Sequence, residues 1–199
     1  MRTIRISFPV IIVAMIVYLA SCNGKASSEQ STKIDTLWND KVQNVFFDTP
    51  FGASKDELIK NFAKHGFIVE KKVSNDETLH FSYSKSKYYS FGGMPWELLR
   101  VSLTNGKFSN IDFYDANRDK AAAISDYNSL VDEVSKKYKL TNIECEDSTV
   151  YGKVVAFCKS GNKAQVSCVR NESIGNDIFY YVSLSYCDTN LENEVSDEL

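Results

Sequence analysis

The stretch "IFYYVSLSYCD", Ile178 to Asp188, alternates: Tyr180, Val182, Leu184 and Tyr186 interleave with Tyr181, Ser183, Ser185 and Cys187. A period of two marks a β-strand with one face toward a core and the other toward water. Such a strand needs partners, and the chain supplies candidates. "FIVEKK", "LHFSYS", "YYSF", "LLRVSL" and "FSNIDFY" lie before residue 115, and "VYGKVVAFCKS" and "KAQVSCVR" after residue 149.

Two other segments read as helices. In "FGASKDELIKNFAKHGF", Ser54 is an N-cap, Glu57 completes a capping box and Gly66 stops the helix, with Leu58, Ile59, Phe62 and Ala63 on one face. The second runs from about Asp119 to Lys139, where Ile124, Tyr127, Val131, Val134 and Tyr138 form one apolar stripe. Local antiparallel pairs with only two helices predict an α+β domain of two layers. An antiparallel sheet carries both helices on one face, in the order β-α-β(4–5)-α-β(3). Around "TNG", a three-residue loop Thr104-Asn105-Gly106 with Gly106 left-handed matches the apolar faces and places Leu99 opposite Ile111.

The start of the chain has a different character. Arg2 and Arg5 precede an apolar run that ends at Cys22, the order of a secretory signal. Between Arg5 and Ser21 the run is too short for the roughly 20 residues of a spanning helix, and it contains Pro9. Its end, Leu19-Ala20-Ser21-Cys22, resembles the lipobox of bacterial lipoproteins. There, small residues admit the peptidase and a thiol takes the diacylglycerol group before cleavage on its amino side. The resemblance implies a signal peptide over residues 1–21 and lipidation of Cys22. The following residue, Asn23, is not the Asp that retains such proteins in the inner membrane of enteric bacteria. It therefore implies the outer membrane, facing the periplasm.

Residues 22–37, "CNGKASSEQSTKIDTL", are Ser-rich without apolar periodicity and read as a lipidated cysteine followed by a disordered tether. A single domain occupies 38–188, and the acidic stretch 189–199 reads as a solvated, disordered tail. The formal charge is −3, and removal of Arg2 and Arg5 takes it to −5. With no basic stripe, nucleic-acid binding is disfavoured.

The run "FFDTPFGASKDELIKNFAKHGF", the block through "NGKFSNIDFYD", the helix ending "SKKYKL" and the closing "FYYVSLSYCD" resemble small envelope lipoproteins of gut-type Gram-negative anaerobes. The likeness is one of pattern, covers most of the mature chain and implies no reaction. Asp35-Thr36-Leu37 and Asp147-Ser148-Thr149 resemble the O-glycosylation triplet of some of these bacteria, with Thr36 and Ser148 as acceptors.

Cys145, Cys158, Cys168 and Cys187 are even in number in an exported chain, which favours disulfides over thiols. Three connectivities are open. Cys158 and Cys168 flank the "KSGNK" turn and could meet across a hairpin, leaving Cys145 with Cys187. Zinc spacing is absent, and no metal or cofactor is expected. His65 lies in the last turn of the first helix and His80 in an alternating strand; both read as structural. No nucleophile elbow, zincin, P-loop or dinucleotide fingerprint occurs, so no catalytic residue is expected.

Tyr88, Tyr89, Phe91 and Trp96, interleaved with Lys85 and Lys87, form the best candidate for a binding surface, although the commoner role of such alternate rings is to fill the sheet core. The sequence thus describes a lipid-anchored, non-enzymatic binding or assembly module. It meets the bilayer through its acyl anchor and takes an envelope protein or glycan as partner. The alternative is an envelope hydrolase acting on cell wall or polysaccharide.

Overall fold

The computed structural model describes residues 36–172 and 177–193. The expected signal peptide and lipidated Cys22, the expected tether up to residue 35 and the expected tail from residue 194 lie outside the described residues.

The elements in chain order are β1 (Trp38–Asn39), β2 (Val45–Phe46), β3 (Thr49–Pro50), α1 (Lys55–Lys64), β4 (Phe67–Val69), β5 (Thr78–Tyr83), β6 (Tyr89–Phe91), β7 (Met94–Trp96), β8 (Leu98–Thr104), β9 (Lys107–Asn117), α2 (Lys120–Ser135), β10 (Thr141–Asn142), β11 (Val150–Cys158), β12 (Asn162–Glu172), β13 (Ile178–Asp188) and α3 (Thr189–Asn193). One nine-stranded sheet runs in the order β1-β11-β12-β13-β9-β8-β5-β4, with β10 beside β11; β2-β3 and β6-β7 are separate hairpins. Its pairs are antiparallel except β1 with β11.

The expected α+β architecture is therefore overturned. Strand makes up 48% of the described structure and helix 19%, so the sheet and not a pair of helices sets the architecture, and three helices are described instead of two. One strand is expected before the first helix, where β1, β2 and β3 lie, and β7 and β10 are not expected; strands of two or three residues are too short to show a period. The acidic tail also differs from expectation: its first residues, Thr189–Asn193, are helical, and the Thr189 amide donates to Gly161 O.

A regularity underlies the order. A helix followed by four strands of the large sheet occurs twice, as α1-β4-β5-β8-β9, with the β6-β7 hairpin inserted, and as α2-β10-β11-β12-β13. Outward from the centre the sheet reads β9-β8-β5-β4 on one side and β13-β12-β11-β10 on the other. The final strands of the two units pair from Tyr180↔Asn117 to Cys187↔Asn110 and join the halves.

Helix starts follow the sequence. Ser54 Oγ accepts from the Glu57 amide at 3.3 Å, and Asp119 Oδ1 accepts from the Ala122 amide at 2.9 Å. The buried stripes are rotated slightly from expectation. In α1 Asn61 is buried and Ala63 exposed; Asn61 Nδ2 donates to Asp48 O and its Oδ1 accepts from Lys64. In α2 Ala123, Leu130 and Val134 are buried, and Tyr127 lies on Gly152, where a Cβ would stand 2.5 Å from the ring. That close approach lets α2 settle onto β11.

The turn between β8 and β9 corrects the expected register. Thr104 pairs with Lys107, so Asn105 (φ 51°) and Gly106 (φ 73°) form a two-residue turn with both φ positive. Leu103 faces Phe108, and a bulge then shifts the ladder so that Val101 faces Ile111 and Leu99 faces Phe113. The extra residue, Ser109, is buried; its hydroxyl donates to Ser102 O and accepts from Thr104.

The core covers one face of this sheet. Leu79, Phe81, Leu99, Val101, Ile111, Phe113, Leu184, Tyr186, Val166 and Val154 project into one cluster with Leu58 and Phe62 of α1 and Leu130 and Val134 of α2. The two hairpins add Phe46 and Trp96 to it. Among the described residues no helix is long and apolar enough to cross a membrane.

Trp96 is 1% exposed and donates Nε1–H to Phe91 O at 2.8 Å, whereas Tyr88, eight residues earlier, is 46% exposed. Trp96→Ala should lower the unfolding free energy by about 3–5 kcal/mol, the range for removing a buried large aromatic side chain. Tyr88→Ala should change it by less than about 0.5 kcal/mol. Urea denaturation of both variants checks the contrast.

Candidate functional site

The aromatic cluster expected to bind a partner divides when folded. Tyr89, like Trp96, is in the core, with its hydroxyl donating to Leu98 O at 3.0 Å. Phe91 stacks on Phe113 with centroids 4.0 Å apart and planes 6° from parallel. Burial removes Trp96 and Tyr89 from the reach of a partner, because their rings fill the space between the β6-β7 hairpin and the sheet. Only Tyr88 presents its ring outward, beneath Lys87 Nζ at 5.0 Å.

The cysteines do not pair as expected. Cys145, Cys158 and Cys168 carry thiols. In the β11–β12 register Cys168 lies opposite Gly152 while Cys158 stands at the turn, six residues further along β11, roughly 20 Å at strand rise. A disulfide needs Cα atoms within about 7 Å. Cys145 follows Ile143, whose amide bonds to Lys153 O, whereas Cys187 sits opposite Lys163 and thus level with Phe157. Those four residues of offset along the strands, roughly 13 Å, bar the second bridge as well. Burial pushes the Cys168 thiol up to about 11, while the Ser160 hydroxyl, 3.1 Å from Cys158 Sγ, lowers that thiol's pKa.

His65 and Asp48 are joined by a 2.7 Å contact at the surface. Ser148 is exposed, in a turn held by Asp147, whose carboxylate accepts from both the amide and hydroxyl of Thr149. Thr36 begins the described chain. Among the described residues no group of three or more His, Cys, Asp or Glu side chains is arranged to hold a metal ion.

The face of the sheet opposite the core is the better candidate. Residues on that face alternate with the core residues and belong to none of the core cluster. Across its middle runs the row His80, Arg100, Asp112, Ser185 and Gln165 on β5, β8, β9, β13 and β12. Arg100 donates through Nε (3.0 Å) and Nη2 (2.9 Å) to one Asp112 oxygen, and the two side chains are 14% and 4% exposed. Burial is tolerable here because each charge is neutralised by its cross-strand neighbour. Burial, and then the Arg100 charge, lower the pKa of His80, with Asp112 opposing; its ring is neutral at neutral pH.

Toward one end the face becomes apolar. Leu98 sits opposite Tyr114, Tyr181 lies 6.5 Å from Tyr114, and Phe179 lies 6.4 Å from Tyr181. Guanidinium groups cap this strip, Arg100 over Tyr114 at 5.7 Å and Arg118 over Phe179 at 5.1 Å. Burial pushes the Tyr114 hydroxyl up to about 12, so it is a donor at any physiological pH. Arginines and tyrosines on a broad sheet face suit recognition of another macromolecule. Sequence reading missed these residues. Alternation in "LLRVSL" and "NIDFY" puts Arg100, Asp112 and Tyr114 on the outward face, but the bulge at Ser109 decides that Arg100 meets Asp112.

His80 gives a pH test. Its folded pKa lies below the ordinary value near 6.5, so between the two values the unfolded state binds the extra proton and stability rises with pH. As pH falls below about 6.5 the wild type should lose stability that His80→Gln does not lose, until the folded ring also protonates. Thermal melts of both proteins at stepped pH read this difference; parallel curves would refute it.

No known family, no characterised protein and no solved structure matches this chain.

Proposed function

We propose that the protein is a lipid-anchored, non-enzymatic module of the cell envelope. It is held by Cys22 in the outer membrane facing the periplasm, and its open sheet face docks a protein partner. The observation that carries the docking surface is the strip Leu98, Tyr114, Tyr181 and Phe179 beside the Arg100–Asp112 pair, on the face that the core cluster leaves unused. A broad sheet face of this kind offers area and aromatic anchors, whereas a small ligand needs a concave site. The paired charges of Arg100 and Asp112 hold each other and orient Tyr114, a role in binding more than in bond-making. The lipobox-like Leu19-Ala20-Ser21-Cys22 supports the anchor.

Labelled fatty acid should enter the wild type and not Cys22→Ala; equal incorporation would remove the anchor from this reading. For the surface, a photo-crosslinking residue at position 181 in the native envelope should give a discrete adduct that Tyr114→Ala abolishes. The same residue at exposed Ser129 on α2 should give none. The captured protein, once purified, should bind the Tyr114→Ala variant about 10- to 100-fold more weakly, the range of an aromatic hot spot. Equal adducts from 181 and 129 would refute the surface.

A further inference from the structure

At the β1 edge of the sheet, far along the strands from the aromatic strip, two chain segments lock together. Asn39 Nδ2 donates to Lys139 O (3.0 Å) and Phe157 O (3.2 Å), its Oδ1 accepts from the Lys139 amide (2.8 Å), and the Leu37 amide donates to Thr141 Oγ1 (3.0 Å). Around this junction lies a groove of about 440 Å³ that takes in Lys41, Lys136, Lys137 and Lys139. Of the acids nearby, Asp40 lines the groove, Glu133 is paired with Lys136, and Asp132 lies one helical turn before Lys136. In a chain whose formal charge is −3, this is a local excess of positive charge. Beside it, Leu37 and Trp38 are 46% and 47% exposed.

We infer that this edge is a second, peripheral membrane contact, with the lysines on anionic lipid headgroups and Trp38 and Leu37 in the interfacial layer. Three features converge on a bilayer as the occupant. Clustered lysines are drawn to an anionic leaflet. Exposed tryptophan beside apolar surface favours the headgroup boundary. The described chain also begins here: fourteen steps of backbone from Cys22 to Thr36 reach at most roughly 50 Å, so an acyl group on Cys22 keeps this edge, before any other, close to the lipid. The inference rests on the proposed anchor for that last point alone; charge and exposure stand without it.

The protein carries its own reporter, because it has two tryptophans and Trp96 is buried. The acylated protein purified from its membranes is incorporated into vesicles of neutral phosphatidylcholine, or of the same lipid with phosphatidylglycerol, each with brominated acyl chains. Tryptophan emission should be quenched in the anionic vesicles and much less in the neutral ones, and raised salt should reverse it. Lys136→Glu/Lys137→Glu/Lys139→Glu, all at exposed positions, should lower the docked-to-undocked ratio at least about tenfold. Trp38→Phe should abolish the quenchable signal. Equal quenching in neutral vesicles, no quenching in anionic vesicles that carry the protein, or a triple variant that behaves as wild type would each overturn the contact. Protein that fails to float with neutral vesicles overturns the acyl anchor instead, and the comparison of quenching in anionic vesicles still decides the surface.

Discussion

The antiparallel join of β9 to β13 is the contact on which the rest of the structure depends. Each helix-and-four-strand unit, taken alone, ends in a strand with one unpaired edge and half-covered side chains on its core face. Pairing the two ends places Ile111 opposite Tyr186 and Phe113 opposite Leu184, and it removes two open edges from the sheet at once. Phe46 of the β2-β3 hairpin sits over this seam, with ring centroids 4.9 Å from Tyr186 and 6.4 Å from Phe113. The join is also the most expensive contact to find. It links segments about seventy residues apart, so its loop-closure cost falls before its reward, while the hairpins within each unit are local. Two locally folded units that dock through their last strands are the assembly order this topology favours.

The same join creates the chemistry of the opposite face. Side chains on β9 and β13 alternate, so the register that buries Phe113 against Leu184 must turn Asp112, Tyr114, Ser183 and Ser185 outward together. Asp112 is then shielded by its neighbours in the sheet and needs a partner, which Arg100 provides from the adjacent strand. A buried pair of this kind contributes little net stability compared with an apolar pair, yet leaving either charge alone would be costly. Its consequence is positional: the guanidinium is fixed over Tyr114, and the row from His80 to Gln165 inherits a defined order of donors and acceptors.

How much of this could be read beforehand depended on range. Ser54 was legible as a cap because a cap is a contact three residues long, whereas Asp119 was legible only as the start of the second helix and caps it in the fold. The strand Ile178–Asp188 was legible from its alternation. Asn105-Gly106 was legible as a turn but not its register, since the bulge at Ser109 answers to where Ile111 and Phe113 must face, not to the turn residues. The turn at Phe47-Asp48 gave no signal, because both residues take positive φ (48° and 61°) without glycine or asparagine. Phe47 is held there by rings from elsewhere, Phe62 at 5.0 Å and Phe67 at 4.6 Å, and Asp48 by Asn61 and His65. Trp96 and Tyr88 look alike as members of one aromatic run, and only the packing of the β6-β7 hairpin against Phe113 separates core from surface. The open face was the hardest to foresee, because it joins β5, β8 and β9 of the first half to β12 and β13 of the second through the distant β9–β13 pairing.

The two surfaces sit in a workable relation. The lysine groove lies at the β1 edge beside β11, and the aromatic strip lies on β8, β9 and β13. Three strand spacings separate β11 from β9, roughly 14 Å. A bilayer against the edge would therefore meet the sheet end-on across its strands and leave the open face standing clear of the headgroups. A tether alone would let the domain tumble and bring that face to a partner in every orientation. With the edge held as well, the face would be presented in few orientations, which lowers the entropy lost when an envelope partner docks. On these two proposals the lysines would affect partner affinity without touching the partner.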